Sequence, residues 1–225
     1  MSASFRRGGG PGAAISGGVI VALFCLACPA EPPNPYPLDD VLRLNHLQAK
    51  GTHNSYHLEP PGNRLIDWAY SHAPLATQFA EQGVRKIELD VYRGASEGEL
   101  LVLHIGLLDP ETTCSTLTAC LLEVRRWSVA NPGHHPLFIM IEPKDDLTGA
   151  GLDAHIAGLE AAVLSAFPRS AVITPDEVQG PAASLREAVT SVGWPTLGAT
   201  RGRVILWLDE HGPLSARYSA DHSSL

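Results

Sequence analysis

The sequence has no stretch that concentrates basic residues. Its 16 Lys and Arg are outnumbered by 24 Asp and Glu, which gives a formal net charge of −8 at pH 7. Proteins that grip the phosphates of nucleic acids need a basic surface, so a nucleic acid is excluded as the expected partner. The 21 Gly, 18 Pro and 44% apolar residues are typical of a loop-rich globular protein with a substantial core, neither disordered nor embedded in a membrane.

An apolar run near the N-terminus is short for a membrane span. It extends from Ala13 to Cys28, follows a pair of arginines and precedes a proline-rich stretch. A membrane helix needs about 20 apolar residues, whereas a basic start followed by a shorter apolar run is typical of an export signal. Cys28 ends a segment that loosely resembles a lipoprotein cleavage box, so we expect an exported protein, either secreted or lipid-anchored at the outer surface or the periplasmic face of a membrane. The predicted organisation is a signal peptide at 1–30, a proline-rich linker at 31–40 and a folded domain at 41–225.

Cysteine is scarce, and two of the four cysteines lie in the predicted signal peptide. The other two, Cys114 and Cys120, are six positions apart, which matches neither a C-x-x-C redox motif nor the spacing of zinc ligands. In an exported protein we expect them to form one local disulfide ahead of a helix. The alternative is two free thiols.

Apolar runs alternate with helical patterns along the remainder of the chain. Strands separated by helices indicate parallel β/α units. Five strands suit a (β/α) barrel of the TIM type, but eight strands usually need about 250 residues. We therefore expect an α/β barrel that is incomplete at its C-terminal end, as a fragment or as a shortened open sheet. The predicted strands are 47–56, 83–92, 100–105, 136–142 and 203–209, and the predicted helices are 75–81, 117–131, 152–166 and 185–191.

Polar residues lie on, or directly after, four of the predicted strands. Side chains at the carboxyl ends of barrel strands converge on one face, which is where active sites form. Glu88 and Asp90 are two positions apart in an alternating strand, so they share a face, and two inward-pointing acids need a cation. An all-oxygen set of ligands suits calcium better than magnesium or zinc, and histidine suits acid–base work. The candidate metal ligands are Asn54, Glu88, Asp90 and Glu142, and the acid–base candidates are His53 and His104.

Four motifs resemble, in their order and spacing, a known enzyme family. They are Gly51-Thr-His-Asn-Ser-Tyr56, Ile87-Glu-Leu-Asp-Val-Tyr92, Leu103-His-Ile105 and Ile141-Glu-Pro-Lys-Asp145. The pattern is similar to the X region of phosphoinositide-specific phospholipase C, in particular the secreted bacterial calcium-dependent type. Glycerophosphodiester phosphodiesterases share the barrel and part of the pattern, but their first motif is typically His-Arg-Gly, where this chain has His-Asn-Ser.

The resemblance implies a role for each candidate residue. The implied reaction is cleavage of phosphatidylinositol, or a related inositol lipid at a membrane surface, to diacylglycerol and a cyclic inositol phosphate by a monomeric enzyme. His104 would be the acid, and either Glu88 or His53 the base. His53 and His104 match the catalytic histidines; Asn54, Glu88, Asp90 and Glu142 match the calcium ligands; Lys144 is placed to bind a phosphate or an inositol hydroxyl.

Three alternatives stay open at this point. They are a glycerophosphodiester phosphodiesterase, an inactive fragment, and a module that only binds a lipid headgroup. The pair of histidines favours an enzyme, because a binding module needs no general acid.

Overall fold

The structure, a computed structural model, describes residues 34–220 except 64, 97, 146 and 147. The predicted signal peptide and Cys28 lie outside the described residues. In the part that is described, no helix has the length and apolar character needed to cross a membrane.

A sheet of five strands organises the described part of the chain. The strands are β1 (Lys50–Gly51), β2 (Val84–Arg93), β3 (Leu100–Val102), β4 (Leu137–Pro143) and β5 (Val204–Leu208). The helices are α1 (Leu75–Glu81), α2 (Leu117–Ala130), α3 (Ala150–Ala166), α4 (Pro175–Gln179), α5 (Leu185–Glu187), α6 (Leu197–Thr200) and α7 (Pro213–Ser219). Short 3-10 turns lie at Leu44–His46, Ile66–Trp68 and Arg169–Ala171, and a π turn at Ala188–Val192 continues α5.

Four of the strands are parallel, in the order β1-β2-β4-β5. Helix α1 lies between β1 and β2 in the chain, α2 precedes β4, and α3 to α6 lie between β4 and β5. The predicted α/β class, with about five strands, is confirmed. Because the strands are parallel, their carboxyl ends lie along one edge of the sheet, as the convergence of the candidate residues requires.

The third strand differs from the prediction in its direction. β3 pairs antiparallel with β2, with Val91 opposite Val102 and Arg93 opposite Leu100. Only residues 94–99 separate the two strands, and a parallel crossover needs a dozen or more residues, so a hairpin is the connection that fits. His104 consequently lies in the loop that follows β3 and not on a parallel strand.

The core lies between the sheet and the helices. Leu117, Leu121 and Val124 on one face of α2 are fully buried, together with Ile87 and Leu89 of β2. Glu88 and Asp90 alternate with these apolar residues and so occupy the opposite face of β2. That alternation places charged groups inside the fold while the strand still contributes to the core.

The start of α2 is fixed by a cap and by a covalent link. The Thr116 hydroxyl accepts a hydrogen bond from the backbone N–H of Ala119, which satisfies one of the helix's free donors. Cys114 and Cys120 form a disulfide across the same turn. The predicted local disulfide is confirmed.

The segment before β1 is anchored to the rest of its unit by Arg201. Both carboxylate oxygens of Asp39 accept hydrogen bonds from the Arg201 guanidinium, at 2.6 and 2.8 Å. The same guanidinium stacks on the ring of Tyr36, 3.8 Å from the ring centroid. Part of the predicted linker is therefore packed against the folded domain.

Candidate active site

The loop after β1 is tied directly to β2 at Glu88. The backbone N–H of Ser55 donates to the Glu88 carbonyl at 3.1 Å, and the Ser55 hydroxyl accepts from the Glu88 N–H at 2.9 Å. Asn54, one residue earlier, has a positive φ of 45°, a left-handed conformation that asparagine tolerates better than most residues. The turn therefore sets His53 and Asn54 beside the acidic strand.

Three predicted metal ligands meet in one cluster. Asp90 on β2 lies opposite Glu142 on β4 in the parallel register. Carboxylate oxygens of Glu88, Asp90 and Glu142 all lie within 4.8 Å of one another. Glu88 and Asp90 are buried, whereas Glu142 is partly exposed.

Asp90 has the surroundings of a ligand that needs a cation. Its side chain is fully buried, and neither carboxylate oxygen accepts a hydrogen bond from a described residue. Burial raises the pKa of Asp90 to about 6, although the nearby charge of Lys144 acts in the opposite direction. A buried carboxylate is unfavourable unless a cation offsets its charge, and a hard cation such as calcium takes carboxylate oxygens as ligands. The residues present therefore fit a calcium ion.

Two lysines offset the charge of the cluster in this structure. The Lys144 ammonium contacts the Glu142 carboxylate and lies 3.3 Å from Oδ2 of Asp90. The Lys86 ammonium lies 3.0 Å from Oε2 of Glu88. Partial burial lowers the pKa of Lys144, but the hydrogen bond to Glu142 and the charge of Asp90 outweigh it and raise that pKa overall.

The side chain of Asn54 is held at both ends of its amide. Its Oδ1 accepts from the Tyr56 hydroxyl and its Nδ2 donates to the Tyr70 hydroxyl, each at 3.3 Å. Burial, and after it the charge of Asp90, raises the pKa of Tyr56, so this hydroxyl keeps its proton and remains a donor. Asn54 is thus fixed next to the acidic cluster with its amide oxygen on the Tyr56 side.

The two predicted catalytic histidines have different surroundings. The side chain of His53 is 74% exposed, and its Nε2 lies 3.4 Å from Oε1 of Glu88. His104 is largely covered, and its Nδ1 lies 2.8 Å from Oδ2 of Asp109, a fully buried carboxylate. Because Nδ1–H of His104 donates to a carboxylate, Nε2 is the ring nitrogen left for exchanging protons.

One open cleft of about 460 Å³ brings the two histidines together. His53 and Asn54 line it from the loop after β1, and His104 lines it from the loop after β3. Its wall also contains Trp68, whose ring centroid lies 6.1 Å from that of His104 in an edge-on arrangement. The acidic cluster adjoins the cleft through the contact between His53 and Glu88.

Sequence reasoning missed several residues of this site. Asp109 was not singled out, although an acid five positions after a candidate catalytic histidine is a weak signal for an orienting partner. His57, directly after the first motif, had no expected role, yet its Nε2 lies 2.8 and 2.9 Å from the two oxygens of Asp109. Trp68 and Tyr70 belong to a loop with no pattern that marks it as part of a site.

Two histidines and three carboxylates meet at one mouth of a parallel α/β sheet, which is where enzymes of the (β/α) barrel class carry their active sites. More particularly, the chain belongs to the calcium-dependent phosphoinositide phospholipase C family, whose sequence profile it matches over residues 42–101 and 95–225. No curated protein matches the chain in sequence.

Solved structures of bacterial phospholipases share the fold. A calcium-dependent phosphoinositol-specific phospholipase C from Pseudomonas sp. superposes with a TM-score of 0.60 at 22% identity, over 76% of this chain and 59% of that one. Its myo-inositol complex gives 0.64 at 21% identity, over 83% and 66%. A calcium-dependent phosphatidylinositol-specific phospholipase C from Streptomyces antibioticus gives 0.54 at 24% identity, over 71% and 51%. The chain thus spans less than two thirds of the length of these enzymes.

Proposed function

We propose that this protein cleaves phosphatidylinositol, with the help of calcium, to diacylglycerol and a cyclic inositol phosphate. The observation that carries the proposal is the single cleft lined by His53 and His104 beside a cluster of three carboxylates. Membership of the phospholipase family supports the same chemistry. A protein that merely binds headgroups would need the cluster but not a histidine held by a buried carboxylate.

The acid in this reaction is His104. Asp109 accepts the hydrogen bond from Nδ1, which leaves Nε2 to carry the proton that is transferred. As the bond between phosphorus and the diacylglycerol oxygen breaks, that oxygen takes the proton from Nε2. The leaving group departs as a neutral alcohol and not as an alkoxide.

The attacking group is the 2-hydroxyl of the inositol ring. It gives its proton to His53 or to Glu88, whose Nε2 and Oε1 atoms are 3.4 Å apart, and its oxygen forms the new bond to phosphorus. Calcium, when held by Asn54, Glu88, Asp90 and Glu142, would stabilise the negative charge that develops on the phosphoryl oxygens. Lys144 then contacts a phosphate oxygen or an inositol hydroxyl from the edge of the cluster.

A membrane surface as the site of action is supported by exposed apolar side chains in two loops that contribute to the cleft. We define the apolar rim as Leu65, Ile66, Leu107 and Leu108. Ile66 is 89% exposed and Leu107 is 98% exposed. Removing such apolar surface from water into a bilayer is favourable. Ile66 lies two positions before Trp68 and Leu107 three positions after His104, so the rim belongs to the two loops that contribute these cleft-lining residues.

The direct test uses vesicles that contain phosphatidylinositol. The wild-type protein is expected to release water-soluble inositol phosphate in the presence of calcium. His53→Ala and His104→Ala are each expected to reduce the rate by roughly two orders of magnitude or more, which is the rate enhancement that a general acid or base contributes. Undiminished turnover in excess chelator would remove calcium from the proposal. Intact phosphatidylinositol together with cleavage of glycerophosphoinositol would identify a glycerophosphodiesterase instead.

A further inference from the structure

The carboxylate of Asp109 is shared by two imidazole rings. His104 approaches it with Nδ1 at 2.8 Å from Oδ2, and His57 approaches with Nε2 at 2.8 Å from Oδ2 and 2.9 Å from Oδ1. Asp109 and His57 are both fully buried. The second imidazole has no part in the reaction described above, and its burial keeps it from touching a substrate.

The protonation of His57 follows from its other ring nitrogen. Nδ1 of His57 is buried and has no hydrogen-bond partner among the described residues. A buried N–H without an acceptor is unfavourable, so Nδ1 carries the lone pair and Nε2 carries the proton. His57 is therefore a neutral donor whose one ring N–H points at the Asp109 carboxylate.

The backbone and the ring of His57 are both fixed by contacts within the fold. The backbone N–H of His57 donates to the Asn54 carbonyl at 2.8 Å, its carbonyl accepts from the His72 N–H at 2.9 Å, and its ring packs on Tyr70 with centroids 4.3 Å apart. Asp109 follows the exposed Leu107, in a turn closed by backbone hydrogen bonds to Ile105. The imidazole thus ties the turn that carries Asp109 to the loop after β1 at one carboxylate.

We propose that His57 is a positioning residue for the acid of this enzyme. By donating to Asp109 it fixes that carboxylate, and the fixed carboxylate selects the tautomer and the ring orientation of His104 in which Nε2 faces the reaction. The catalytic half of this proposal rests on the proposed function, whereas the structural half concerns the free protein alone.

Two variants separate the donor from the bulk of the ring. His57→Gln keeps an N–H at the place of Nε2, and His57→Leu keeps a buried side chain without a donor. We expect His57→Leu to lower kcat on phosphatidylinositol vesicles by about 10- to 100-fold, by analogy with the loss of an outer partner that orients a metal-bound histidine. KM should change less than about threefold, because His57 does not touch the substrate. His57→Gln is expected to recover most of kcat.

A spectroscopic measurement tests the same idea without substrate. In protein labelled with ¹⁵N-histidine, at about pH 8.5, two units above the reference pKa of a free imidazole, the His104 resonances are identified by their loss in His104→Ala. They should show Nδ1–H in the wild-type protein and in His57→Gln, and a mixture of tautomers in His57→Leu, with thermal unfolding used to establish that each variant is folded.

The outcomes divide cleanly. An unchanged His104 tautomer and an unchanged kcat in folded His57→Leu overturn the proposal, as does a loss that His57→Gln fails to recover. If no form of the protein cleaves phosphatidylinositol, the proposed function fails, while the tautomer measurement still decides whether His57 positions His104.

Discussion

Asp90 and Glu142 face each other across two neighbouring parallel strands, with carboxylate oxygens less than 4.8 Å apart. Two acids at the same level of a sheet repel each other unless a cation lies between or beside them. In this structure the cation is the ammonium of Lys144. Replacing that internal cation by calcium, or removing one of the acids, should change the stability of the folded protein.

Asp90→Asn should stabilise the metal-free protein. The pKa of Asp90 is about 6 in the folded state and 3.8 for the free side chain, so the folded state favours the protonated form. The wild-type protein therefore loses stability as the pH rises from about 4 to about 6, by on the order of 3 kcal/mol, and the loss levels off above that pH, whereas the variant does not show it. Thermal unfolding in chelator at several pH values measures the difference.

Calcium should make the wild-type protein more stable than Asp90→Asn. It is expected to raise the unfolding midpoint of the wild-type protein but not that of Asp90→Asn, because a ligand stabilises only the state that binds it. Asp40→Asn, at an exposed position far along the chain, is the matched control and should behave as the wild type. A lower midpoint for Asp90→Asn in chelator would contradict the proposed cost of the buried charge.

Lys144→Gln should bind calcium more tightly than the wild-type protein. Calcium must displace an ammonium that contacts Glu142 and approaches Asp90, and a partly exposed ion pair of this kind contributes about 1 kcal/mol. The expected gain in affinity is about three- to tenfold, measured by titration calorimetry. Lys50→Gln, which removes an ammonium bound to the Gln82 carbonyl, should leave the affinity unchanged; equal or weaker binding in Lys144→Gln would refute the competition.

The apolar rim should be needed for vesicles and not for folding. Ile66→Ser and Leu107→Ser are expected to weaken binding to phosphatidylinositol vesicles several-fold each, because each removes apolar surface that a bilayer would cover. Their unfolding midpoints should stay within error of the wild type. Val192→Ser, at an exposed apolar residue of the π turn, controls for a general loss of surface hydrophobicity. An equal loss of vesicle binding in that variant would show that the rim is not a specific membrane contact. Vesicle sedimentation measures all three.

Removing the disulfide should destabilise the protein by a modest amount. The Cys114–Cys120 link closes a loop with a sequence separation of only 6, for which chain entropy gives about 2 kcal/mol. The double variant Cys114→Ser with Cys120→Ser is expected to lose this amount in denaturant unfolding. Added reductant should destabilise the wild type to the same extent and leave the double variant unaffected.

The sequence was informative where a feature depends on local periodicity. Strict alternation in β2 predicted that Glu88 and Asp90 share a face, and the parallel order of β2 and β4 then brought Glu142 to them. The direction of β3 was predicted wrongly, because an apolar run indicates a strand without its orientation. Only the shortness of residues 94–99 carried that information.

The partners of His104 could not be predicted in the same way. Asp109 and His57 are 52 positions apart and lie in two loops that have no periodic pattern. Their pairing depends on how those loops pack over the sheet. A buried carboxylate with two imidazole donors is a product of tertiary structure, and nothing in either local segment specifies it.

The β2–β3 hairpin and the loop after it carry two of the proposed metal ligands and the proposed acid in one continuous segment. Glu88 and Asp90 lie on its first strand, and His104 follows its second. An insertion or deletion within residues 94–99 would shift the strand register and move His104 relative to the carboxylates without disturbing the parallel sheet. The length of this turn therefore sets the distance between His104 and the carboxylates. A change in that length, natural or engineered, would alter this distance while the parallel strands stay in place.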